Sequence, residues 1–140
     1  MELKLAVVAD YAYVGDGSKL YILGEFRNIN VPQVPAIKPR FFVALRLFAE
    51  KVEVRDGSAM VRFEITDEDG TPIMERSPEM KLRFGKLGPS APAKMFAQAI
   101  LEIEGMPLPH TGSYSVHVWH GDHHLGEAVF TVQLQPKRPG

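Results

Sequence analysis

Gly112-Ser113-Tyr114-Ser115-Val116-His117-Val118-Trp119-His120-Gly121-Asp122-His123-His124-Leu125-Gly126-Glu127-Ala128-Val129-Phe130-Thr131-Val132-Gln133-Leu134 is two alternating runs around a Gly-Asp turn signal, the pattern of a β-hairpin. Tyr114, Val116 and Val118 share one face of the first run. Ala128, Phe130, Val132 and Leu134 share one face of the second. Directly opposed residues of an antiparallel pair lie on the same face. Even-numbered positions must therefore pair with even-numbered ones. A bare two-residue Gly121-Asp122 turn pairs His120 with His123 and sends one apolar face to water. The hairpin is thus expected to have an odd loop centred on Gly121, or a bulge. The outer face is expected to carry Ser115, His117, Trp119, His123, Leu125 and Glu127, with His124 opposite Val118.

Working towards the N-terminus, residues 105–112 contain Pro107 and Pro109 and read as a connection. Residues 93–104 place Met95, Ala97, Ala99, Leu101 and Ile103 at a period of two. Helix-forming residues, Pro92 and Gly105 also suit a helix there. The period favours a strand. Residues 85–90 read as a loop without phosphate-loop spacing. Residues 72–84 hold one or two short strands broken by Pro78. Residues 60–67 turn Val61, Phe63 and Ile65 inward, and Asp69-Gly70 is a turn. Asp67-Glu68-Asp69-Gly70 fails as a calcium loop, because Ile65 and Arg76 fall where carboxylates are required. Residues 51–56 alternate weakly. Residues 40–49 turn Phe41, Val43, Leu45 and Leu47 inward and leave Phe42 and Phe48 on the other face, to be covered by a loop or a second subunit. Residues 28–39 hold Pro32, Pro35 and Pro39 and read as an extended crossing between two sheets. Residues 20–26 and 3–9 read as strands, the latter with Leu3, Leu5 and Val7 on one face. Tyr11 and Tyr13 read as cover for the end of the core, with a recognition surface as the alternative.

These seven to nine strands predict an all-β fold, an immunoglobulin-like antiparallel β-sandwich, formed by residues 1–140 as one domain. Tyr114, two residues after Gly112, fits the Gly-x-Tyr start of a late sandwich strand. The chain has 140 residues, long enough to bury roughly 70% of its unfolded surface. With 16 basic and 17 acidic residues its net charge is -1, so no field of one sign attracts nucleic acid or an anionic membrane. It has no cysteine, which excludes thiolate metal sites and cysteine nucleophiles. A cytoplasmic location is expected, since the first residues lack a signal-peptide pattern.

Ala9-Asp10-Tyr11-Ala12, Ser18-Lys19-Leu20, Gly24-Glu25-Phe26, the prolines from Pro32 to Pro39 and Phe41-Phe42 form a connected pattern. With Asp69-Gly70 and Gly112-Ser113-Tyr114, it resembles a family of small bacterial proteins known only as a domain of unknown function. The resemblance implies a β-sandwich and a bacterial origin. It implies no activity, ligand or site residue.

The hairpin also holds the chain's one Trp and four of its five His. His120, Asp122 and His123 near the turn are the candidate metal ligands, although a tight zinc site wants four ligands, or three and a water. The sequence has no Gly-x-Ser-x-Gly and no dinucleotide fingerprint, so no enzyme and no cofactor are expected. The expected role is a non-catalytic interaction or structural module; the alternative is a metal- or small-ligand-binding protein using the His-rich tip. Trp119, Leu125, Phe42 and Phe48 are the candidate interaction surface. Together with Phe96 and Ile100 they form one patch if their strands adjoin. A homodimer centred on Trp119 or the two Phe is expected, or else an unidentified protein partner, with neither nucleic acid nor membrane.

Overall fold

The structure is a computed structural model that describes residues 1–54, 56–86 and 93–136. Among them run β1 (Glu2–Gly15), β2 (Lys19–Glu25), β3 (Asn28–Val31), β4 (Ala36–Glu50), β5 (Ser58–Asp67), β6 (Glu79–Arg83), β7 (Gly85–Lys86), β8 (Lys94–Leu108), β9 (Gly112–His120) and β10 (His123–Leu134). They form two five-stranded sheets, β2-β1-β4-β8-β7 and β3-β10-β9-β5-β6. The inner faces meet in one core, as in a β-sandwich. No helix among the described residues is long and apolar enough to cross a membrane. Residues 87–92, where part of the expected loop and Pro92 fall, and the last four residues lie outside the described residues.

The period of two was a sound guide in the middle of the chain. Phe41, Val43, Leu45, Leu47, Val61, Phe63 and Ile65 are all buried. Phe26, Phe41 and Phe130 meet edge to face, with centroids 5.9–6.0 Å apart. Residues 94–104 of the segment expected as strand are strand, and the strand, Lys94–Leu108, runs on through Pro107. Pro107 is tolerated because, among the described residues, β7 flanks β8 only at Met95 and Phe96. Pro39 sits in β4 for the same reason, since β1 flanks β4 only from Phe42 to Phe48. The proline connection does cross between sheets, from β3 in the second to β4 in the first, but it is shorter than expected.

Three expectations need correction. The strands number ten among the described residues, and β3 pairs with β10 in parallel, so the second sheet is mixed. Asn-Ile-Asn-Val is too short to announce a strand by periodicity, and its partner lies a hundred residues away. Of residues 51–56, which alternate only weakly, Lys51–Glu53 form a 3-10 turn, and residue 55 lies outside the described residues. Leu3, Leu5 and Val7 do not share a face, because the register of β1 against β4 shifts between Leu3 and Leu5. After that bulge Val8 faces the main core, and Val7 packs with Phe42 on the outside of the sheet.

That outside face carries a second, small core. Ala12, Leu20 and Ile22 from the β1–β2 hairpin pack on Phe42, Ala44 and Ile100. Gln98 on β8 donates from Nε2 to the Ser18 carbonyl at 2.6 Å and ties the hairpin tip to the sheet. Phe42 is therefore only 5% exposed. Its cover is neither a loop nor a second subunit but the chain's own hairpin, with Arg40 stacked on its ring. Phe48 stands opposite Phe96 and remains half-buried, with Lys4 over its ring.

Candidate functional site

The turn of the last hairpin has two residues, and the face conflict is resolved by a bulge. His120 pairs with His123 and Trp119 with His124. The register then shifts, and Val118 pairs with Gly126, Val116 with Ala128 and Tyr114 with Phe130. Leu125 is the extra residue, a device that re-aims side chains. The even-numbered faces meet in the core as the sequence required. The tip, however, is arranged differently. His124 moves to the outer face beside Trp119, not opposite Val118. Leu125, expected outside, packs against the main core.

Three rows then cross β5, β9 and β10 on the outside of the second sheet. They read Glu64–His117–Glu127, Arg62–Trp119–His124 and Thr66–Ser115–Val129. His117 Nδ1 lies 2.9 Å from His124 Nε2 and 3.3 Å from Glu127 Oε2. One ligand atom from each of these three residues lies within 4.8 Å of the others. His117 Nε2 meets the buried Thr66 Oγ1 at 3.0 Å. The Trp119 ring packs against His124, centroids 4.9 Å apart, and Arg62 covers the indole. Of the expected trio, His120 and His123 are register partners across the turn that holds Asp122, but the group whose ligand atoms gather within 4.8 Å is a different one. The cluster comprises His117, His124 and Glu127 instead. Sequence reading missed Glu127 and misplaced His124, although Gly126 inside a strand pattern was a signal for the bulge.

A second feature faces solvent on the opposite side of the molecule. On the outward side of the β1–β2 hairpin, Tyr11, Tyr13, Tyr21 and Leu23 are 42%, 40%, 40% and 56% exposed. Tyr13 and Tyr21 are register partners, with rings stacked at 4.6 Å and 5°. Tyr11 sits 5.8 Å from Tyr13 and edge-on to Phe42. The tyrosines thus cover the end of the small core and expose an aromatic surface as well.

A third cluster is structural. The buried Tyr114 hydroxyl donates to the His110 carbonyl at 2.6 Å, and its ring stacks on Phe130. The hydroxyl therefore bonds back to backbone four residues upstream, the geometry of a tyrosine corner. Asp67 accepts the amides of Asp69 and Thr71 on Oδ1, and His110 Nε2 meets its Oδ2 at 3.0 Å. The carboxylate in this turn closes the turn itself, a role that needs no calcium. The Thr71 amide and His110 hold the Asp67 carboxyl below the ordinary value. The Thr111 carbonyl and Asp67 hold His110 above its own.

A family model described as a family of unknown function, DUF6941, matches residues 4–133. The chain belongs to this family. No curated protein matches the sequence significantly. Among solved structures, it is similar to the Pseudomonas fluorescens alkylpurine DNA glycosylase AlkC bound to DNA containing an abasic site analog. That likeness has 21% identity and a TM-score of 0.40, covering 76% of this chain and 27% of that one. The chain thus spans about a quarter of the glycosylase chain, and the likeness carries no argument about activity.

Proposed function

We propose that this protein is a non-catalytic interaction module whose contact face is the outward side of the β1–β2 hairpin. One observation carries the reading: Tyr11, Tyr13, Tyr21 and Leu23 are contiguous and exposed on a face that an antiparallel sheet ordinarily leaves polar. Tyrosine supplies large contact area at low entropic cost and keeps a polar handle, and it is enriched where proteins meet. The stacking of Tyr13 on Tyr21 orders the rings before any partner arrives. The partner is a second copy of the chain, related by a two-fold axis. A net charge of -1 offers little repulsion against self-association. The tyrosine corner at Tyr114 supports grouping the sandwich with the immunoglobulin-like folds.

Light scattering at about 100 micromolar, where an interface of moderate affinity is filled, tests this reading. The wild type is expected to be a dimer, and Tyr13→Ser with Leu23→Lys a folded monomer. A monomeric wild type, or a dimer that survives both changes, overturns it.

A further inference from the structure

We infer that His117, His124 and Glu127 form a binding site for one divalent cation of the zinc type. The inference is independent of the interaction surface, which lies on the other sheet. Ring nitrogens 2.9 Å apart, within hydrogen-bond distance, and a carboxylate oxygen 3.3 Å from one of them gather three ligand atoms within 4.8 Å of one another. Such groups repel unless a proton or a cation lies among them. Two metal–ligand bonds of about 2.0–2.1 Å at angles near or above a right angle separate their ligand atoms by about 2.9–3.4 Å. Both distances fall in that range.

The surroundings orient the ligands as a metal site requires. For His117 Nδ1 to coordinate, the proton must reside on Nε2, and there it is donated to Thr66 Oγ1 at 3.0 Å. Thr66 is buried, so this hydrogen bond is shielded from water. His124 packs against Trp119, and Arg62 lies over the same indole. The Leu125 bulge is what turns His124 onto this face at all. Glu64, the register partner of His117 on β5, is engaged by Arg62 at 3.3 Å, which leaves Glu127 as the carboxylate ligand. Two imidazoles and one carboxylate favour zinc, nickel or cobalt over calcium or magnesium. Glu127 is exposed, so the remaining coordination positions face solvent and are filled by water. The site is therefore open and exchangeable, unlike a closed structural zinc site.

The full chain without a tag is first stripped with a chelator. Zinc is titrated by calorimetry, and nickel by the emission of Trp119, the sole Trp, which lies 4.9 Å from His124. One ion per chain is expected to bind, with nickel quenching the emission in a saturable way. His124→Ala and Glu127→Gln, both at exposed positions, should each weaken binding at least about tenfold, and Thr66→Val should weaken it by a comparable factor. His120→Ala with His123→Ala should leave the affinity unchanged, which separates this site from general histidine binding at the tip. The inference is overturned if no saturable binding occurs below about 100 micromolar, a level no dedicated site would need. It is overturned equally if binding follows His120 and His123 and is indifferent to His124 and Glu127.

Discussion

Tyr114 shows what one hydroxyl does in this fold. Its ring is fully buried between His110 and Phe130, and its hydroxyl fixes the chain reversal before β9. Tyr114→Phe keeps the packing and removes the donor, leaving the His110 carbonyl short of a partner. The expected loss is about 1–2 kcal/mol, read as a lower urea midpoint at unchanged slope. Beside it, the pair of His110 and Asp67 makes stability depend on pH from both sides. His110 is raised above an ordinary value near 6.5, so its contribution is complete below that pH and is lost as pH rises through the folded value. Asp67 is lowered below 3.8, so its contribution is present above that pH and is lost as pH falls through the folded value. Melting temperature is therefore expected to fall from about pH 6 to about pH 8, with a smaller slope in His110→Gln. An unchanged slope in the variant would show that the pair does not set this dependence.

At the scale of the element, β-bulges settle which side chains face where. The bulge near Lys4 exchanges the faces of β1, and the bulge at Leu125 exchanges those at the tip of β10. In the β1–β2 hairpin Gly24 has φ +70, a conformation that favours glycine, and a Cβ there would meet Asp10 Oδ2 at 2.5 Å. Beyond that point the hairpin lays Ala12, Leu20 and Ile22 over Phe42 and Ala44. Phe42 is thus a core residue of a two-layer contact within one chain. Phe42→Ala is expected to cost about 3–5 kcal/mol in chemical denaturation without altering the oligomeric state. A stable variant that becomes monomeric would instead return Phe42 to an interface.

For the whole molecule, the apolar residues on the outer faces of the strands are divided between two surfaces. Phe42, Phe48, Phe96 and Ile100 lie on the sheet of β4 and β8, and Trp119 lies on the sheet of β9. No single patch unites them, and the tyrosines of the hairpin inherit the argument for self-association. The all-β class, the strands around Phe41 to Leu47 and Val61 to Ile65, the crossing between sheets and the even pairing of the last hairpin were legible in the residues. Each depends on a period of two or on proline chemistry, and both act within a few residues of chain. The parallel pairing of β3 with β10, the cover over Phe42 and the meeting of His117, His124 and Glu127 were decided only by tertiary structure. A parallel partner leaves no local mark, a covering hairpin is set by where two bent strands land, and one inserted residue exchanges the faces of everything before it. Alternation told which residues shared a side of a strand. Only the assembled sheets determined what lay on that side.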